Sequence, residues 1–84
     1  MTDLEFDILD ELYFVISYSD LQNASEVEDA DLIQVLYEMI LKGWVRCFEN
    51  ASDEIEIEED TFRAHYRDYY YLASKKGLMI HNRG

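Results

Sequence analysis

Leu4, Ile8, Leu12 and the pair Val15/Ile16 recur at three- and four-residue spacing along the first segment, with Asp3, Glu5, Asp7, Asp10 and Glu11 between them. That periodicity predicts an amphipathic helix over roughly 3–16, one stripe facing a core and the other facing water. Ser19-Asp20-Leu21-Gln22 then has the form of a capping box, in which a hydroxyl accepts from an orphaned backbone N–H and the glutamine reaches back. A short second helix is expected near 19–24. A second box of the same form, Ser25-Glu26-Val27-Glu28, precedes Leu32, Val35/Leu36, Met39 and Ile40, again at helical spacing. The third helix is therefore expected from about 26–29 to 42, stopped by Gly43 in a left-handed conformation and favoured by Lys42 at the negative end of its dipole. Only Asn23-Ala24-Ser25 separates the two helices, so they cross at an angle, in helix-turn-helix manner.

After Gly43 the period changes. Trp44-Val45-Arg46-Cys47-Phe48 is β-branched and aromatic, Glu54-Ile55-Glu56-Ile57-Glu58 alternates strictly, and Asn50-Ala51-Ser52-Asp53 between them is turn material. These features predict a two-stranded hairpin with one apolar and one acidic face. Phe62, Tyr66, Tyr69/Tyr70 and Ala73 return to helical spacing, predicting a last helix from Asp60 or Thr61 that Lys75-Lys76-Gly77 closes. Tyr69-Tyr70-Tyr71-Leu72 suits a strand equally well, so helix and strand both stay open over 69–80. No repeat, proline or Gly/Ser linker divides the chain, and 84 residues fit one small domain.

Composition sharpens this picture through charge. Nineteen acidic residues against seven basic ones give a formal net charge of −12, and every Lys and Arg lies from Lys42 onward. The first half is purely anionic, which suits either a solvated surface or a docking face for a basic partner. About half of the residues are apolar, enough for a core without metal or disulfide. Cys47 is the only cysteine and no basic-then-apolar leader opens the chain, so a reducing cytoplasm is the expected setting. The longest apolar runs fall far short of the roughly 20 residues that cross a bilayer.

The order helix, short helix, helix ending in Met39-Ile40-Leu41-Lys42-Gly43-Trp44-Val45, then hairpin resembles the winged helix-turn-helix superfamily over roughly residues 4–58. Tyr71-Leu72-Ala73-Ser74-Lys75-Lys76-Gly77-Leu78 also looks like a tyrosine-leucine-threonine-x-x-glycine stretch that follows the wing in several regulator families, with Ala73-Ser74 departing from its threonine. The resemblance implies an α+β fold: a three-helix core, a two-stranded β-hairpin wing and a C-terminal helix. It further implies a third helix in the DNA major groove and a wing on the phosphate backbone or in the minor groove. The residues oppose that function. Glu26, Glu28, Asp29 and Asp31 lead the third helix, while Asp53, Glu54, Glu56, Glu58, Glu59 and Asp60 occupy the wing. Phosphate affinity needs Lys or Arg, and these two elements offer only Lys42 and Arg46 at their edges.

Two surfaces follow as candidates for partners. Glu28, Asp31, Glu56 and Glu58 would present an acidic face to a protein partner, a basic one by preference. Carboxylates in a first helical turn also favour the helix dipole, which accounts for the first two but not for the acidic wing. On a last helix continuous to residue 76, Arg63, Arg67, Tyr71 and Ser74 share one sector, a solvated face or a contact with a second copy or with nucleic acid. Chemistry beyond binding has little support: Cys47 reads as core, His65 and His81 join no metal or triad spacing, and the Glu54–Asp60 run lacks the calcium-loop pattern. With glycines only at 43, 77 and 84, no phosphate loop forms either. The expectation is a non-enzymatic interaction or regulatory domain without cofactor, with a winged-helix DNA-binding regulator as the alternative.

Overall fold

A computed structural model describes residues 1–83 and shows a compact α+β domain of five α-helices and a three-stranded antiparallel sheet. Helix α1 spans Asp3–Asp10 and begins with a capping box: the Thr2 hydroxyl accepts from the Glu5 N–H at 3.1 Å, and the Glu5 carboxylate accepts from the Thr2 N–H at 2.9 Å. It stops well before the expected end at residue 16. Tyr13, Phe14, Val15 and Ile16 are aromatic or β-branched and favour extended backbone. Leu12 accepts from the Ala73 N–H at 2.8 Å, and Ile16–Ser17 form strand β1.

Helix α2 spans Tyr18–Ser25, capped by Ser17, whose hydroxyl accepts from the Asp20 N–H at 3.2 Å. The cap therefore lies two residues before Ser19, where the sequence pattern had put it. Ser25 belongs to α2, so the second expected box does not form, and Glu26 turns the chain with a left-handed φ of 58°. Helix α3 spans Asp29–Leu41 behind an N-cap Glu28 that makes no side-chain capping bond. Its end follows expectation. Gly43 takes φ 77°, its N–H donates to Ile40, and the Trp44 N–H donates to Met39, the paired bonds that close a helix through a left-handed glycine.

Strand β2, Val45–Phe48, also lies where its composition suggests, but its partner differs. It pairs antiparallel with β3, Tyr70–Ala73, which lies between β1 and β2 with Cys47 and Ile16 both opposite Tyr71. The expected hairpin strand 54–58 is reduced to a single bridge between Phe48 and Glu54 and an Ile55 N–H bond to Cys47. A central strand is shielded on both sides by its neighbours and needs apolar side chains on the core face. Tyr71 and Ala73 supply them, and Tyr70 and Leu72 are half-buried on the opposite face, where the alternating 54–58 run would bring its carboxylates.

The expected continuous last helix is likewise divided. Helix α4 covers Glu59–His65, a short 3₁₀ turn covers Tyr66–Asp68, β3 follows, and α5 runs over Lys75–Arg83. Lys75-Lys76 thus opens a helix rather than closing one. Ser74 caps it, its hydroxyl accepting from the Gly77 N–H at 3.0 Å while donating to the Gly43 carbonyl. Gly77 packs so closely on the Trp44 backbone that a Cβ there would collide with the Trp44 carbonyl.

One core joins these pieces: Ile8 and Leu9 of α1, Leu21 of α2, Leu36 and Met39 of α3, and Tyr71 of β3 are fully buried. The connection from β2 to β3 folds back onto this core instead of standing away from it. Phe62 of α4 is fully buried, stacked on Tyr37 of α3 at 5.5 Å and edge-on to Tyr71 at 6.4 Å. No described helix is long and apolar enough to cross a membrane.

Candidate interaction surface

The acidic residues divide into those that hold the fold and those that face water. Glu5 is buried and receives Lys42 Nζ at 2.7 Å, tying α1 to the end of α3. Burial pushes its carboxyl pKa up, but Lys42 and the bonds from Thr2 outweigh this and hold it below the usual value. Asp29 accepts from the Tyr18 hydroxyl at 2.7 Å and from Arg67 at 2.8 Å, so one carboxylate joins α2, α3 and the turn after α4. Its pKa is lowered chiefly by the Tyr18 bond. Burial, with the same bond, raises that of the Tyr18 phenol.

Glu28 and Asp31, at the start of α3, and Glu56 and Glu58, in the run before α4, are all exposed, and none joins an ion pair among the described residues. Ile55 and Ile57 alternate with these last two glutamates and are half-buried against the core, which turns the carboxylates to solvent. Period two therefore survives without a strand: the apolar positions still anchor, the acidic ones still project.

The expected Arg63/Arg67/Tyr71 stripe does not exist. Arg63 binds Glu59 at 3.1 Å and Gln34 of α3 at 3.2 Å, while Arg67 binds Asp29. Tyr71 is fully buried in β3, its hydroxyl donating to the Tyr66 carbonyl at 2.8 Å, and burial raises its pKa strongly. It is a core residue and touches no partner, because the helix that would have exposed it ends at His65.

Each of the four basic residues nearest α3 and the connection is held by its own carboxylate: Lys42 by Glu5, Arg46 by Glu54, Arg63 by Glu59 and Arg67 by Asp29. Arg46 grips Glu54 with two bonds, at 2.9 and 3.0 Å, and holds its carboxyl below the usual range. These cations accordingly form no common positive patch.

Among reactive groups, Cys47 lies inside the sheet, and burial pushes its thiol up to about 12. No three His, Cys, Asp or Glu side chains among the described residues are placed to hold a metal ion. Sequence reasoning, which set His81 aside because it joins no metal or triad spacing, did not foresee that it is buried, stacks on Phe6 at 4.1 Å and meets the Tyr13 hydroxyl at 2.7 Å. It also passed over the outer face of α5. The signal for that face is present in Lys75, Lys76 and Arg83 around Met79, but Lys75-Lys76-Gly77 also has the form of a helix stop, which hides it. Comparison with models of protein families, with curated proteins and with solved structures found no match.

Proposed function

We propose that this chain is a non-catalytic, winged-helix-type domain that serves as a protein-interaction or regulatory module, with Glu28, Asp31, Glu56 and Glu58 as the contact for a basic partner. The observation that carries this reading is the division of charge: these four carboxylates are exposed without counter-ions, whereas the cations around them are each occupied. A basic surface approaching them gains attraction without breaking an internal pair. The winged-helix assignment draws support from two consecutive helices, α2 and α3, followed by an antiparallel strand pair joined by a long connection. A reducing compartment suits the free thiol of Cys47.

The DNA-binding alternative loses ground for two physical reasons. Paired arginines must surrender their carboxylates before they meet phosphate, and α4 lies against α3, the helix that would enter the groove. Fluorescence anisotropy with random duplex DNA at low salt tests it: no binding is expected, and salt-sensitive binding lost in Arg63→Ala or Arg67→Ala would replace our reading. For the acidic face, the charge-reversed pair Glu28→Lys with Asp31→Lys is expected to abolish capture of whatever partner the native domain retains. Unchanged capture would remove this face from consideration.

A further inference from the structure

Helix α5 differs from the other four in the sign of its first turn. Each of α1 to α4 begins with one or two carboxylates, which favour the positive end of the helix dipole. α5 begins with Lys75 and Lys76, has no acidic residue in that turn, and so carries two cations where the dipole disfavours them. In a chain with nineteen acidic residues this is not a by-product of composition. Lys76 donates to the Lys42 carbonyl at the end of α3, but Lys75 makes no such bond among the described residues.

Geometry adds a second peculiarity. At 3.6 residues per turn, Lys75, Met79, Arg83, Lys76 and Ile80 fall on one side of α5, while Gly77 and His81 face the interior. The outer side bounds a shallow groove of about 450 Å³ lined by Lys75, Lys76, Met79, Ile80 and Arg83. Met79 is 49% exposed at its centre. Unlike the paired cations near α3, none of the three on α5 joins an ion pair among the described residues; Lys76 donates only to the Lys42 carbonyl.

We infer that this face of α5 docks an acidic amphipathic helix of a partner protein, with an apolar side chain seated over Met79 and Ile80 and carboxylates meeting Lys75, Lys76 and Arg83. Three cations around an apolar floor match a segment that carries both features, since the apolar contact holds it and the charges orient it. A second copy of the chain fits less well: α5 against α5 sets like charges together, and two chains of −12 repel one another. Nucleic acid would use the cations but not the exposed methionine, and an anionic bilayer would find only Met79 beside a half-buried Ile80 to insert, little apolar surface for anchoring. This surface is distinct from the acidic one proposed above and does not rest on it.

The test is anisotropy of a fluorescein-labelled synthetic peptide with glutamates and leucines at helical spacing, titrated with the full chain. Binding is expected at low salt and should weaken as salt screens the charges. Lys75→Glu with Arg83→Glu should weaken it by about tenfold or more, and Met79→Ala by about fivefold, with circular dichroism confirming the fold. Lys76 is left intact in the decisive variant because it touches Lys42. The variant Glu28→Lys with Asp31→Lys should bind the peptide as well as the native chain, separating this surface from the acidic one. The proposal is overturned by absence of binding, by equal binding of a scrambled peptide of the same composition, or by preference for duplex DNA or phosphatidylserine vesicles.

Discussion

Helices α4 and α5 are both short and both carry basic residues, yet they place them in opposite circumstances. Arg63 and Arg67, on and just after α4, are spent within the molecule, fastening the connection to α3 through Glu59, Gln34 and Asp29. Lys75 and Arg83 of α5 join no ion pair among the described residues and border a groove. The lesson is that the number of cations says little about where an anion will be attracted. A paired guanidinium offers an approaching carboxylate or phosphate almost no net field, whereas an unpaired one keeps its own.

The comparison can be broken most severely from beneath. Tyr71 supports both regions, since Phe62 of α4 lies edge-on to it and β3 leads directly into α5. Tyr71→Ala is expected to destabilise the domain by about 4 kcal/mol, read from urea denaturation, and Tyr71→Phe by only about 1 kcal/mol, the hydroxyl bond to Tyr66. A small effect from the alanine variant would mean that residue 71 is on a surface after all. Next comes Gly77, where two tendencies oppose each other. Alanine favours a helix over glycine by about 1 kcal/mol, but its Cβ would meet the Trp44 carbonyl. Steric overlap with backbone should win by about 2 kcal/mol; thermal unfolding of Gly77→Ala at a raised midpoint would refute the close approach and with it the seating of α5.

A smaller effect is carried by Glu5, the one buried carboxylate among the described residues. Because its folded pKa is depressed, its stabilisation is present above the unfolded value of about 4.5 and is lost as pH falls through the lower folded one. Glu5→Gln should therefore cost about 1 kcal/mol at neutral pH, Lys42 being half-exposed, and the difference from the native protein should shrink as pH drops below 4.5. Denaturation midpoints of the two proteins across that range decide it; a constant gap would show that the carboxylate's charge is not what matters. The smallest effects sharpen the comparison itself. Arg67→Ala should lower the urea midpoint slightly, through its bond to Asp29, while Lys75→Ala and Arg83→Ala should leave it unchanged. Equal losses from the two sets would imply that α5's cations have internal partners too.

Much of the first half was legible because its signals are local. The stripe Leu32, Val35/Leu36 and Met39, and the glycine that stops it, need only helix geometry and the freedom of Gly43 to adopt positive φ. The exposed acidic set Glu28, Asp31, Glu56 and Glu58 was legible for a similar reason: carboxylates without partners stay in water. Caps were less so, as several hydroxyls compete near one helix start. Ser17 displaced Ser19 when β1 drew the preceding residues into the sheet, and Glu26 took the turn that placed Ser25 inside α2.

By itself, the sequence determined two consecutive helices, the strand after Gly43, the anionic first half and the absence of an internal disulfide, each a matter of near-neighbour spacing or plain composition. Tertiary structure alone decided which alternating segment would pair with β2. Glu54–Glu58 and Tyr70–Ala73 each satisfy the geometry of a strand, but only the second puts apolar side chains on both the buried and the half-buried face of the central position, and that requirement appears only when the sheet is assembled. The same choice ended α4 at His65, buried Tyr71, and left Lys75, Lys76 and Arg83 on the outside of a separate helix.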